Sequence, residues 1–200
     1  QVIAFDNLKL INTDTGEIIY ANTFDEPDEP WVPKDNMISR GEIKDGNYYI
    51  LSNKDDYCYW AKAWMPAVFS EDVPDFEVVL KAEILERQGD AGLGFMWMED
   101  DENYFSFETE NGKRARAVVK TGEGYEYVGD YSSDLEEPAK TVEIKIIREG
   151  DKIDYYFNGR LIDKLKIDEW FYVSDMDRIG LRVCDRQAVS FQELRIKEIK

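Results

Sequence analysis

The chain has no histidine. That removes the commonest general base and the commonest zinc ligand, and with them every Ser-His-Asp or Cys-His apparatus. It has only two cysteines, Cys58 and Cys184, too few for a disulfide framework or a zinc cluster. The two either pair or sit as ordinary half-buried residues, because sequence does not set the separation of their Cα atoms. Basic residues are few, 25 against 43 acidic, for a net charge of −18. Nucleic acid and anionic membranes are poor partners for such a surface, and solubility is the plainer reading of its acidity. No apolar run approaches bilayer length, so no membrane insertion is expected. Residues 1–12 read as a strand rather than a signal peptide, which leaves open a trimmed secreted protein or a piece of a longer chain.

What is present is globular. Of the 200 residues 43% are apolar, enough for one large all-β domain with a sizeable core. The stretch Ala91 to Gly112, AGLGFMWMEDDENYFSFETENG, organises the rest. Leu93, Phe95 and Trp97 alternate with Gly94, Met96 and Met98; after the acidic turn, Phe105 and Phe107 alternate with Tyr104, Ser106 and Glu108. Period-two alternation on both sides of a turn is a hairpin with one buried face. Asn111-Gly112 then turns the chain into RARAVV, giving three consecutive strands in the middle of a sheet.

Elsewhere the same grammar repeats. FEVVLKAEIL places Phe76, Val78, Leu80, Ala82 and Ile84 inward and Glu77, Lys81 and Glu83 outward. TVEIKIIREGDKIDYYFNGRLIDKL is a second hairpin, and RIGLRVC and AVSFQELRIKEI finish the sheet. From these segments Ile144, Phe157, Leu181 and Phe191 join the expected core. The first segment, QVIAFDNLKLIN, resembles the last strand, and in both the apolar phase shifts after a phenylalanine, as at a bulge. Either both belong to one sheet, or residues 1–12 close an upstream domain of the same type. Three prolines make DEPDEPWVP a loop. A short helical turn at Asp168 to Val173 is the one helical signal. Many short strands between turn signals mean an all-β sandwich or barrel, taken here as one domain over 1–200.

Two pieces carry a family resemblance: Asp100-Asp101-Glu102-Asn103-Tyr104-Phe105 and Tyr156-Phe157-Asn158-Gly159-Arg160-Leu161. With KDGNYYILS, FEVVLKAEI and IGLRV around them, the chain resembles the concanavalin A-like jelly rolls, especially the laminin-G-like modules of secreted glycan-degrading systems. The resemblance implies a jelly-roll sandwich of two antiparallel sheets and an interest in sugars. It also implies a structural Ca²⁺ near the join of the first and last strands, for which Asp25, Glu26 and Glu193 are candidates. Glucanases of the superfamily use an E-x-D-x-x-E strand and its alginate lyases a Gln-x-His strand; neither pattern occurs here.

The function expected is a non-catalytic carbohydrate-binding module, extracellular, periplasmic or at the cell surface, joined to other domains of a parent chain. Its ligand would be a poly- or oligosaccharide. Sugars stack their C–H faces on aromatic rings while polar side chains fix their hydroxyls. Tyr104, Glu108, Arg114, Arg116 and Lys81 on neighbouring strands supply such a set, joined by Trp60 and Trp64, which share a face of a regular strand. Against this stand core packing for the tryptophans and a cross-strand salt bridge for Glu108 with an arginine. Two other functions stay open. One is a glycoside hydrolase whose acidic pair, for instance Glu83 and Glu108, lies roughly 5–10 Å apart across a cleft. The other is a structural or protein-interaction sandwich with no sugar site.

Overall fold

The structure is a computed structural model describing residues 7–11, 18–22, 34–35, 39–44, 47–55, 58–64, 75–98, 100–132, 137–166 and 178–198. These form sixteen strands and no helix. In chain order they are β1 (Asn7–Ile11), β2 (Ile18–Asn22), β3 (Lys34–Asp35), β4 (Ser39–Lys44), β5 (Asn47–Ser52), β6 (Cys58–Trp64), β7 (Phe76–Arg87) and β8 (Gly92–Met98). Then follow β9 (Tyr104–Glu110), β10 (Arg114–Thr121), β11 (Gly124–Ser132), β12 (Thr141–Glu149), β13 (Lys152–Phe157), β14 (Arg160–Lys166), β15 (Arg178–Cys184) and β16 (Gln187–Glu198).

Two sheets pack face to face. The larger runs β14-β13-β12-β7-β16-β5-β4-β3, and the smaller runs β11-β10-β9-β8-β15-β6. Pairing is antiparallel except where β1 lies parallel to β16, with Leu8 opposite Leu194 and Leu10 opposite Ile196. The first and last segments, alike in sequence, are therefore neighbours in one sheet. β16 shifts register between Phe191 and Glu193, the bulge its apolar phase predicts. The expected helical turn at 168–173 lies outside the described residues.

Alternation builds the core. Phe95, Trp97, Phe105, Phe107 and Leu181 face inward from the smaller sheet, and Phe76, Leu80, Ile144, Phe157 and Phe191 from the larger; all are buried in one cluster. Ring contacts cross between layers: Phe76 meets Trp97 edge-on at 5.1 Å, and Phe107 meets Tyr155 at 4.9 Å. The Tyr155 hydroxyl donates to the Glu108 carbonyl at 3.2 Å, so the one polar tip in this contact is satisfied inside the core.

The turns follow their residues. Asn111 and Gly112 have φ of 42° and 66°, and Asn158 and Gly159 of 46° and 76°, the left-handed pair that an Asn-Gly hairpin needs. In the acidic turn, Asp100 Oδ1 accepts from the backbone N–H groups of Glu102 and Asn103 at 2.7 and 2.8 Å. The Glu102 N–H, foremost, holds the Asp100 carboxyl below its usual range. The resemblance motif DDENYF is thus an Asp-anchored turn followed by a core strand.

Gly112 also sits against its neighbours. A Cβ there would lie 2.7 Å from the Ala139 carbonyl oxygen and 2.8 Å from Arg87 Nη1. Left-handed backbone and overpacking together set the expected cost of Gly112→Ala at about 3 kcal/mol. Thermal unfolding should show a midpoint lower by about 6–12 °C, and an unchanged midpoint would mean that the turn relaxes freely.

Candidate functional site: a glycine-floored cleft on the smaller sheet

The outer face of the smaller sheet is built in rows, because antiparallel register sets partners side by side. One row reads Trp60, Arg182, Gly94, Glu108, Arg116 across β6, β15, β8, β9 and β10. Beside it, Cys58 pairs with Cys184 across β6 and β15, and Gly92, Glu110 and Arg114 stand in line across β8, β9 and β10. Both lines cross β8 at a glycine. Strands lie about 4.8 Å apart, so Arg182 and Glu108 start about 10 Å from each other. They meet because Gly94 puts nothing between them. A Cβ on Gly94 would come 2.6 Å from the Phe107 carbonyl oxygen and 3.0 Å from Glu108 Cβ.

Glu108 is the centre. It is 7% exposed, and each of its oxygens faces a guanidinium. Arg182 Nη1 donates to Oε2 at 2.9 Å and Arg116 Nε to Oε1 at 3.3 Å. A nearly buried carboxylate between two arginines is a fully engaged, charge-assisted arrangement. Arg182 is held on its other side by the Cys58–Cys184 disulfide, which links directly opposed residues of β6 and β15. Its Nε donates to Cys184 Sγ at 3.1 Å and its Nη2 to Cys58 Sγ at 3.2 Å.

These groups border a cleft of about 170 Å³, which Asp90, Glu110 and Asp185 also line. Guanidinium donors and carboxylate acceptors converge in one concavity, and each Glu108 oxygen keeps a second lone pair for a ligand hydroxyl. Four carboxylates against two guanidiniums make the cleft unsuited to an acidic ligand.

Of the residues expected at the site, the structure brings Glu108 and Arg116 together as an opposed pair. It sets Arg114 one row away, opposite Glu110 and ion-paired with it. Tyr104 does emerge opposite Phe105, but it is only 2% exposed, packed with Met96 and Met98 in a second buried cluster. It therefore offers no open stacking face. Lys81 belongs to the other sheet, where its ammonium pairs with Glu193 at 2.7 Å, an interaction that raises its pKa. Glu83 is on that sheet too, paired with Lys140 at 2.7 Å, so Glu83 and Glu108 do not share a face.

Register puts Trp60 opposite Arg182 and Trp64 opposite Arg178, on one face of β6, while their side chains lie outside what the structure describes. Asp25 and Glu26 also lie outside the described residues. Glu193 fits poorly as a calcium ligand, since Oε2 is taken by Lys81 and Oε1 accepts from Arg195 Nε at 3.3 Å. Sequence reasoning missed Arg182. The signal was there: Ile179, Leu181 and Val183 point inward, which puts Arg182 on the outer face.

No protein-family model matches the chain, and no curated protein matches it in sequence. Solved structures do match in shape. A carbohydrate-binding module, CBM66 from Bacillus subtilis, superposes with a TM-score of 0.52 at 17% identity, over 84% of this chain and 91% of that one. A xylan β-1,4-xylosidase from Bacillus halodurans gives 0.60 at 17% identity, over 88% of this chain and 38% of the enzyme. The binding domain of botulinum neurotoxin serotype G gives 0.52 at 12%, over 86% and 45%. At such identities the likeness is one of fold, and the chain is a jelly-roll β-sandwich.

Proposed function

We propose that the chain is a non-catalytic carbohydrate-binding module that takes a neutral poly- or oligosaccharide in the glycine-floored cleft. One observation carries the reading: Glu108 is locked between Arg116 and Arg182 in a concavity that Gly92 also lines. Such a preset array of donors and acceptors costs little reorganisation when hydroxyls replace water. The fold supports the reading, being shared with a module described as carbohydrate-binding. A laminin-G-like membership and a place in a larger glycan-processing protein belong to the same proposal. So does an extracellular, periplasmic or cell-surface location, for which the disulfide gives support, since such bonds persist in oxidising compartments.

Calorimetry against a panel of neutral oligosaccharides is the test, with Arg116→Lys as the partner variant. Lysine keeps the charge and loses the planar fork, so the dissociation constant should rise about tenfold, the worth of one charge-assisted hydrogen bond. A glycan that binds both proteins equally places the site elsewhere. The calcium proposal rests on Asp25 and Glu26, and melting curves check it: Ca²⁺ should raise the melting temperature over chelator, and coincident midpoints remove it.

A further inference from the structure

The Cys58–Cys184 disulfide opens onto the cleft. Both cysteines are half-buried, and both line the concavity of about 170 Å³, which has room for one small organic molecule at the sulfurs. Thiol–disulfide exchange begins when a thiolate reaches one sulfur and the other departs as a thiolate. Access and a stabilised leaving group therefore set its rate.

Arg182 supplies the second condition. Its Nε lies 3.1 Å from Cys184 Sγ and its Nη2 3.2 Å from Cys58 Sγ, so a guanidinium already donates to whichever sulfur departs. A neighbouring arginine lowers a thiol's pKa, and a thiolate of lower pKa leaves faster. The carboxylates on the lining have other partners: Glu108 is shared by two guanidiniums, Glu110 pairs with Arg114, and Asp90 accepts from Asn111 Nδ2 at 2.9 Å. Asp185 directly follows Cys184 and turns an incoming anion toward Cys58. The cross-link also sits where its opening leaves the sheet standing. It joins the first residue of β6 to the last of β15, and β6 ends the smaller sheet among the described strands. The rest of that ladder, from Tyr59 with Val183 to Trp64 with Arg178, does not involve the sulfurs.

We propose that Cys58–Cys184 is a thiol-exchange site that switches the cleft, opened by a small uncharged dithiol. One thiolate of the dithiol attacks Cys58 Sγ, a mixed disulfide forms there, and Cys184 leaves as a thiolate held by Arg182. The second thiol loses its proton to solvent and attacks the mixed disulfide, and the Cys58 sulfur leaves and takes up a proton. The dithiol ends as a cyclic disulfide, oxidised by two electrons, and the protein as one thiol and one thiolate. A thiolate is a stronger acceptor than a disulfide sulfur, so it draws Arg182 away from Glu108 and breaks up the donor array. The exchange is independent of what the cleft binds, while its effect on affinity rests on the carbohydrate-binding reading.

The test incubates the full chain with dithiothreitol well below its melting temperature, quenches with iodoacetamide and follows the mass. Reduction should be first order in dithiothreitol and unchanged by about 1 M urea. Reduction that waits for global unfolding would instead speed up about thirtyfold, and that result overturns the proposal. Arg182→Gln should slow the urea-insensitive rate about tenfold, and Arg182→Lys, which keeps the charge, should restore most of it. A glutamine variant reduced as fast as the parent, and equally indifferent to urea, also overturns it. In isotope-labelled protein, reduction should move the Arg182 Nε–H signal and leave the Ala61 and Leu181 amides in place; an unmoved Arg182 signal removes the switch. By calorimetry a neutral oligosaccharide should bind the reduced form about tenfold more weakly. Equal affinity for both forms, in a glycan that Arg116→Lys does weaken, counts against the switch alone. If no neutral oligosaccharide binds either form, the carbohydrate-binding reading fails, and the exchange site is decided by the rates and the Arg182 signal.

Discussion

Replacing Cys58 and Cys184 together by alanine should lower stability by about 5 kcal/mol, the largest effect expected of any change in this chain. The two residues are 126 apart in sequence, and chain-entropy reasoning gives about 5 kcal/mol for a loop of that length. At 2–4 °C per kcal/mol for a domain of this size, the melting midpoint should fall by about 10–20 °C. The same fall should appear when a reductant is added to the parent protein, and the double variant should ignore reductant. The bond also bears on the cleft, because both sulfurs accept from Arg182. Losing them should loosen the arginine and weaken glycan binding even where the fold persists. A parent protein whose midpoint is the same with and without reductant would show that the cross-link contributes little.

The second large effect is expected at Glu108. Glu108→Ala should cost about 3 kcal/mol, because it strands two guanidiniums beside each other in partly desolvated positions. The Arg182 and Arg116 side chains are 12% and 22% exposed, which places the value at the low end of the range for a broken buried pair. The informative comparison is a triple variant with Glu108, Arg116 and Arg182 all replaced by apolar residues of similar length. It should recover most of the lost stability, since no charge is then left without a partner. It should not recover glycan binding. Recovery of both would show that the charged cluster is structural and that the ligand lies elsewhere.

The contrast between these residues and those named from sequence shows what alternation can convey. It tells which side of a strand a residue takes, so Phe105 and Phe107 inward and Glu108 outward are legible, as are the Asn-Gly turns and the bulge after Phe191. It does not tell whether the outer side is open. Tyr104 takes the side expected and is buried there, packed with Met96 and Met98. Nor does alternation say which sheet a strand joins. Lys81 and Glu83 fall beside Glu108 in a reading along the chain because β7 precedes β8. The turn at Gly89 and Asp90 instead carries the chain from one sheet to the other. A turn between sheets and a turn within a hairpin draw on the same residues. Arg182 becomes part of the site only through β15 lying beside β8, a pairing between segments about 80 residues apart that no local pattern announces.

The central pair of the larger sheet has a temporal side. β7 and β16 are joined from Arg87 with Gln187 through to Phe76 with Glu198, and the nearer partners are already 100 residues apart. During synthesis β7 must therefore wait with one edge unpaired while that chain is made, about 5–20 s at ordinary ribosomal speeds. Its outward Glu77, Lys81 and Glu83, with Glu86 exposed near its end, lie along the waiting strand, and charge of this kind is what discourages an open edge from pairing with a stranger.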